Sequence, residues 1–416
     1  MGAALRDDNF GADTQTVSFD AARHAAAALA RPLDRSEDVP IALAAGRVLA
    51  AAIEAPSALP PFDQAAMDGY AVCLSGRKGV PVVLPMGGRT NAGDAPGVLR
   101  PGTAHRVMTG AALPTGADAV VMQEHVARRG DLLHFDLPIE PGAHIRRSGE
   151  DVVRGAAVIE PGRMIGWADI AVLAALGVRT VRVACPLRIA VVTTGSELRD
   201  GGEPLPAGAI YDSNGPMLAA LLAGPNTHIV SLSVRDEVNA IADALQTQAG
   251  AVDLVITTAG MSVGDADHVR DAVGRAGGRL DIVKVAMKPG KPLAFGMIGE
   301  AYFAGLPGNP QAAAYGALAF VRPMTRRLLG QAPAKRVTAR TAFAASRKPD
   351  RTELLPVSLS VEHGRLTARR SGPDGSHRMM PMVSADAVAV VPGASTPLEA
   401  GTCLEVLPFD QPRLGG

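Results

Sequence analysis

Three lysines fall within eight residues, Lys284, Lys288 and Lys291, in the run IVKVAMKPGKPLAFG. The chain has six lysines among its 41 basic residues, the other 35 being arginine. A chain that otherwise relies on guanidinium therefore concentrates compact ammonium charges here. An ammonium is a point charge that can hold a tetrahedral oxyanion or a phosphate without the flat fork geometry of Arg. Just upstream, DLVITTAGMSVGDADHV places an apolar run, Leu254–Ile256, ahead of Thr257, Thr258, Gly260, Ser262, Gly264, Asp265 and Asp267. The apolar run reads as a buried strand, and a helix is predicted from about Ala266. A small-residue loop between a strand and a helix start frees backbone N–H groups to face an anion, and the helix dipole adds to the attraction. A solvated basic loop would show the same three lysines. The adjoining loop and its two acidic residues favour an anion site with a rim that can hold a metal.

The elements that position these groups follow the texture of the chain. Residues 1–15 are expected to be a disordered leader. SFDAARHAAAALARPL predicts an Ala-rich helix with Ser18 as N-cap, and a second short helix is expected over about 43–53. Pro56, Pro60 and Pro61 end that pattern. From there to about residue 141, short strands alternate with Gly and Pro turns (VPVVL, HRVMTG, DAVVMQE, LLHFDLP), which predicts a small β domain. HIRRSGEDVVRG is a charged turn, and ADIAVLAAL predicts a helix ended by Gly177. From Leu187 the texture becomes α/β: LRIAVVTTGSEL is a buried strand that delivers Gly195, Ser196 and Glu197 at its C-terminal end. IYDSNGPMLAALLAG is a turn feeding a helix capped by Ser213 or Asn214. IVSLSV is a strand ending at Arg235 and Asp236, and a helix follows over 238–248. Strands alternating with helices of this length imply a mostly parallel sheet, whose ligands bind at the strand C-termini. A helix after Gln311 runs to about Gly330, and the remainder is β again.

Length and composition bound the function. At 416 residues the chain exceeds one ordinary core. Its formal net charge is zero, so nothing suggests general attraction to nucleic acid or to an anionic membrane, and anion binding must be local. Cys73, Cys185 and Cys403 are widely spaced and odd in number, which fits a reducing compartment better than a disulfide framework. The polar N-terminus lacks the apolar core of a signal peptide, and no apolar run approaches the ~18 residues a membrane span needs. The cytoplasm is the expected location.

Taken together, PPFDQAAMDGYAV, RVMTGAALPTGADAVVMQE, HIRRSGEDVVRG, VVTTGSEL, IYDSN, DLVITTAGMSVGDAD, KPGKP, GLPGNP and SGPDGSH occur in one order. In that order the chain resembles, from about residue 16 to its C-terminus, the MoeA family of molybdenum cofactor biosynthesis. That family is related to the E domains of plant Cnx and animal gephyrin. The resemblance implies an enzyme that inserts molybdenum from molybdate into adenylyl-molybdopterin with Mg²⁺, releasing AMP. It implies a multidomain α/β-plus-β fold with a MogA/MoaB-like three-layer α/β domain. The expected divisions are a split helical domain (16–55 and 150–186), a small elongated β domain (56–149), the α/β domain that binds molybdopterin (187–330) and a barrel-like C-terminal β domain (331–416). It further implies a homodimer with the active cleft between subunits, supplied with substrate by a molybdopterin adenylyltransferase.

Carried over motif by motif, the resemblance implies that Asp68, Thr109 and Asp151 act from the partner subunit's side. Glu197, Asp236 and Asp267 are expected on the α/β side, with Asp267 and Glu197 contacting Mg²⁺ or activating the phosphoanhydride. Lys284, Lys288 and Lys291 would neutralise phosphate and molybdate, Arg146 would bind anionic parts of the cofactor, and Arg351 and Ser376 would contribute to molybdate. Gly260, Ser262, Gly264, Pro307 and Pro310 are the cofactor-binding positions of the loop motifs. The residues read from below agree, because two anionic substrates need a positive site and cleaving a phosphoanhydride calls for a hard cation with oxygen ligands. Plainer readings stand beside these: Asp68 as a turn residue, Asp236 as a helix cap, and Asp151 as a structural partner of Arg146 or Arg147.

Three positions depart from the family pattern. The usual Ser-Gly-Gly reads Thr258-Ala259-Gly260, the usual Thr-Gly-Asp-Glu-Leu reads Thr194-Gly195-Ser196-Glu197-Leu198, and GLPGNPVS reads GLPGNPQA, with Ala312 in place of a hydroxyl. Two alternatives compete with the molybdenumtransferase. One is a MogA-type molybdopterin adenylyltransferase, and the other is a non-catalytic dimeric scaffold of the same fold.

Overall fold

The apolar runs in the middle of the chain pair side by side as a parallel sheet. The computed structural model describes residues 16–75, 81–136, 138–258, 268–345, 351–373, 375–394 and 397–409. Its contacts separate two compact units. One contains the described residues up to 37, 46–50 and 184 onward, and the other contains 38–45 and 51–183.

In the first unit the strand Leu187–Thr194 lies parallel between Thr227–Val234 and Leu254–Thr258, and the latter pairs in parallel with Ala301–Leu306. Two antiparallel strands, Pro292–Ile298 and Gly278–Lys288, extend the sheet. Near-continuous apolar strands bury both faces, and alternation decides which face each residue joins. Ile189, Val191, Leu254, Ile256, Ala304 and Leu306 pack with Leu218, Tyr315 and Phe320 on one side. Val192, Val255 and Phe303 pack with Ile241, Leu245, Val269 and Val273 on the other. The result is a three-layer α/β arrangement.

The sheet continues into the C-terminal strands, because Met287 and Lys288 pair in parallel with Thr352 and Glu353. Strand Thr352–Glu362 then leads through Arg365–Arg370, Val337–Thr341, Cys403–Pro408 and Ala387–Val391 back onto itself, closing a five-stranded barrel. Its interior is apolar, with Val357, Ala368, Ala389, Leu404 and Val406 buried. Closure leaves these strands without a free edge.

The helix Phe19–Leu29 starts as predicted, with the Ser18 side chain accepting from the Ala21 N–H at 3.3 Å. It packs against the α/β core through Phe19, Ala22 and Ala26, with the Phe19 ring edge-on to Phe320 at 5.5 Å. The helix expected over 43–53 does not form. That stretch has a single 3₁₀ turn, Ile41–Leu43, and a short strand, Ile53–Glu54, paired with Ala157–Ile159. Gly46, at φ +77°, breaks any helical run there.

The second unit centres on a six-stranded sheet in the order Ala119–Met122, Gly69–Val72, Ala104–Val107, Val82–Thr90, Leu132–Phe135, Ala127–Arg129. Val72, Leu84, Val121, Leu133 and Phe135 fill one face. His105 is buried and shares a hydrogen bond with Thr90 Oγ1 at 2.8 Å. Burial pushes its imidazole below the ordinary pKa, against an opposing contribution from the Arg89 backbone. Gly88 makes room for that ring, since a Cβ there would stand 2.6 Å from the imidazole Cε1. The helix Trp167–Ala175 belongs to this unit, and Asp169 caps it by accepting the Gly166 N–H at 2.8 Å.

Candidate functional site

The C-terminal ends of the parallel strands open onto a cleft of about 680 Å³, where open α/β sheets place their ligands. Thr194 and Thr258 are the last residues of two of those strands, and Pro307, Gly308, Asn309 and Pro310 follow the third. Glu197, Asp212, Asn214 and His377 supply the polar wall.

Asp212 is committed to the fold. Its Oδ1 accepts the N–H groups of Asn214 (2.9 Å) and Gly215 (3.1 Å), and its Oδ2 accepts the Thr193 hydroxyl at 2.8 Å. These bonds satisfy the first-turn donors of helix Asn214–Leu222, so the side-chain cap is Asp212, not Ser213 or Asn214 as expected. Asn214 instead donates its Nδ2 to the Gly308 carbonyl at 2.7 Å, and its buried Oδ1 has no partner among the described residues. Asp212 thus fixes the start of the helix, and Asn214, held there, ties this loop to the one that follows Ala301–Leu306.

Glu197 differs. Its carboxylate folds back over Gly195, where an added Cβ would lie 2.8 Å from Oε2, and no described residue donates to it. The glycine of Thr194-Gly195-Ser196-Glu197 therefore admits an unneutralised carboxylate at the cleft wall.

A second, smaller cleft of about 170 Å³ lies beside the first and shares Gly290 with it. Lys288, Gln311, Glu353, Gly375 and Ser376 line it. Gly290 has φ +99°, a conformation costly for any residue with a Cβ, and its missing Cβ would meet Met287, Pro307 and Ala312 at 3.4–3.5 Å. This glycine is the physical content of the KPGKP run. Lys288 Nζ lies 3.4 Å from Glu353 Oε1. Lys284 is half-buried in register with Pro292, and Lys291 is exposed. Neither has a partner among the described residues, so two of the three lysines keep unneutralised charge, while only Lys288 lines a cleft.

Other expected residues stand elsewhere. Asp236 lines neither cleft and meets His268 Nδ1 at 3.3 Å, at the start of helix His268–Arg275, which argues for a structural role. Arg351 precedes strand Thr352–Glu362 and is half-buried, with its backbone packed where a Cβ on Gly393 would come within 2.9 Å. Gly260, Ser262, Gly264 and Asp267, with the departure at Ala259, lie outside the described residues.

In the second unit, Asp68 Oδ1 accepts both the backbone N–H and the hydroxyl of Thr109, each at 2.7 Å. These bonds, the backbone one first, hold the Asp68 carboxyl below its usual range. Asp63 secures the neighbouring turn by accepting Ser148 N–H at 2.8 Å and pairing with Arg147 at 2.6 Å. The Ser148 bond is the largest of the contributions that lower its pKa. Arg147 is thereby occupied, whereas Arg146, paired in register with Gln64, and Asp151 are exposed without side-chain partners among the described residues. The structural pairing considered for Asp151 with Arg146 or Arg147 is not formed.

Sequence reasoning passed over Asp212, Asn214, Asn309, Gln311 and His377 as site residues. All five lie within IYDSN, GLPGNP or SGPDGSH or directly beside them. The signal was therefore present in those runs, but nothing local said which side chains face the clefts.

Comparison with known proteins agrees with the geometry. Residues 17–177 match the model of the MoeA N-terminal region (domains I and II), 190–327 that of a probable molybdopterin binding domain, and 338–409 that of the MoeA C-terminal region (domain IV). The chain is 37% identical to Molybdopterin molybdenumtransferase 2 of Mycobacterium tuberculosis, across 88% of this chain and 94% of that one. It is 35% identical to the Molybdopterin molybdenumtransferase of Haemophilus influenzae, across 88% and 92%. Among solved structures, the molybdopterin biosynthesis MoeA protein of Pyrococcus horikoshii superposes with a TM-score of 0.81 at 26% identity, covering 94% of this chain and 99% of that one.

Proposed function

The chain belongs to the MoeA family and is a molybdopterin molybdenumtransferase of molybdenum cofactor biosynthesis; from that premise we propose how its two clefts divide the work. The larger cleft takes the pyrophosphate end of adenylyl-molybdopterin, and the smaller takes molybdate. The observation that carries this reading is the shared wall at Gly290: a roomy cleft at the strand ends opens beside a small one that presents the Ser376 hydroxyl and the Lys288 ammonium, the latter 3.4 Å from the Glu353 carboxylate that lines the same cleft. The small cleft would take a tetrahedral dianion by drawing Lys288 away from Glu353, and its neighbour suits an extended nucleotide-bearing ligand.

Lys288 faces the molybdate, with Lys284 and Lys291 adding positive field nearby, and Ser376 donates its hydroxyl to an oxo group. Arg351 lines neither cleft but stands two residues before Glu353, which lines the small one, and would support it from the barrel side. Pro307 and Pro310 shape the cofactor's cleft, the latter by starting helix Pro310–Gly316 with a residue that has no N–H to leave unsatisfied.

Glu197 fits a hard divalent cation, being an uncommitted carboxylate at a solvent-open cleft. Mg²⁺ characteristically takes one or two carboxylates together with phosphate oxygens and retained waters. Among the described residues no cluster of three metal-binding side chains occurs, and Glu197, with the Asp267 that the family resemblance implies, is the candidate ligand set. When bound, Mg²⁺ would neutralise charge that builds up on the phosphoanhydride as it breaks. Glu197 would also orient that group in the cleft, while the Asn214–Gly308 bond keeps the two loops at their spacing.

Asp68, Thr109, Asp151 and Arg146 complete the reading as groups supplied by the partner subunit of a homodimer, with a molybdopterin adenylyltransferase as substrate donor. The cytoplasm suits the three unpaired cysteines, and among the described residues no helix is long and apolar enough to cross a membrane. The full-length relatives carry the molybdenumtransferase name, which favours this reading over the adenylyltransferase and scaffold alternatives.

The test is AMP release from adenylyl-molybdopterin by purified protein with Mg²⁺, with and without molybdate. Molybdate-dependent release with metal transfer is expected. Tight substrate binding without AMP release under any metal condition would overturn the division of labour between the clefts.

A further inference from the structure

Gln311 is 4% exposed, yet its side chain is polar and lies at the seam between the α/β sheet and the barrel. Its Nε2 donates to the Arg378 carbonyl at 2.5 Å, and its backbone N–H donates to the Ser376 carbonyl at 3.3 Å. Two bonds from one residue thus straddle His377. The preceding residue pair adds a third tie, since Asn309 Nδ2 donates to Ser376 Oγ at 3.2 Å. That bond occupies an acceptor site on the Ser376 oxygen, which leaves the hydroxyl hydrogen to point elsewhere. Gly372 and Gly375 stand at φ +152° and +142°, a region open in practice to glycine alone.

We infer that Gln311 is a positioning residue for molybdate, clamping Ser376–Arg378 so that the Ser376 hydroxyl faces the small cleft and His377 faces the large one. The inference rests on the reading of the small cleft as the molybdate site. Its physical basis is preorganisation: a hydroxyl held in place by two neighbours donates to an oxyanion without first paying to be ordered. The backbone bond to Ser376 would survive any substitution except proline, so the specific contribution is the side-chain amide, which ties down the far end of the segment.

Two variants isolate that amide. Gln311→Met keeps length and burial and removes the donor. Gln311→Glu keeps shape and loses the donor only while ionised, because a protonated carboxyl can again donate to the Arg378 carbonyl. The measurement is AMP release at varied molybdate and, separately, at varied adenylyl-molybdopterin, with thermal unfolding as a check on folding. Gln311→Met is expected to raise the half-saturating molybdate about tenfold, as for one lost hydrogen bond to a bound anion's support. It should change the half-saturating adenylyl-molybdopterin by less than about twofold. Gln311→Glu should show the same defect at pH 8 and recover toward pH 6, since burial raises a carboxyl's pKa. Ser376→Ala separates the two levels of failure. If it weakens molybdate saturation and neither Gln311 variant does, the clamp is wrong and the cleft assignment stands. If none of the three affects molybdate, the cleft assignment fails and the clamp with it. Equal losses for both substrates would mark Gln311 as merely structural and also overturn the inference.

Discussion

Asp68 and Thr109, 41 residues apart, form one unit: a single carboxylate oxygen takes both the backbone N–H and the hydroxyl of the threonine. The consequence is a carboxylate kept ionised and fixed in direction on an exposed surface. Groups that act as a unit lose function non-additively. Asp68→Asn should lower molybdate-dependent AMP release by roughly 10²-fold, Thr109→Val by about tenfold, and the double variant no further than Asp68→Asn alone. Multiplicative losses would show that the two residues contribute separately.

Glu197 offers the least ambiguous test of the metal. Glu197→Gln preserves shape over Gly195 and removes the charge. AMP release should fall by roughly 10²-fold at low Mg²⁺, and part of the loss should be recovered by raising Mg²⁺, because a weakened site is refilled by mass action. A defect insensitive to Mg²⁺ would assign Glu197 to substrate contact alone.

Ala312 is buried at the first turn of helix Pro310–Gly316 and lines the larger cleft beside Gly290. Ala312→Ser places a hydroxyl where the family pattern usually has one. A new charge-assisted bond is worth about 1.5–3 kcal/mol when fully made. Substrate saturation should therefore tighten by roughly 10- to 150-fold when that bond is fully made, with unfolding temperature nearly unchanged. Weaker saturation would mean that the Gln311–Ala312 pair has become adapted as a unit.

Asp253 carries a pH signature in stability. Burial works to raise its pKa, but the Arg188 side chain and N–H and then Arg35 outweigh it, and the net shift is downward. A group whose folded pKa lies below its unfolded value, ~3.9 for Asp, stabilises the fold fully above that value. The contribution is lost as pH falls through the folded pKa. Denaturant unfolding between pH 7 and 3 should show this loss in the parent and not in Asp253→Asn. At pH 7 the substitution should cost about 2 kcal/mol, less than a fully enclosed pair because both arginines are partly exposed. Parallel pH profiles for the two proteins would exclude Asp253 as the source.

Much was legible in the linear order of residues. Apolar runs alternating with helical stretches specify a parallel sheet, because burying both sheet faces demands continuous hydrophobic strands. Gly290 within KPGKP and Gly195 before Glu197 announce backbone that needs φ > 0 or a close approach. Nine short motifs in one order identify the family. These are local properties, carried by neighbours in the chain.

Other features came only with tertiary structure. Nothing near Ser18 says that helix Phe19–Leu29 packs on the α/β core, because an Ala-rich face suits many partners. The stretch after Gly46 has helical composition, yet it forms an extended pair with residues more than a hundred positions away. Asp212 outcompetes its neighbours as a cap only because Thr193 arrives from the adjacent strand end. Lys288 meets Glu353 across 65 residues, and Asn309 and Gln311 hold Ser376 and Arg378 across 67. Periodicity reveals which residues are buried and in what kind of element. Which polar atoms then meet depends on how two packed layers align to within about an ångström, and that is settled when the whole core closes.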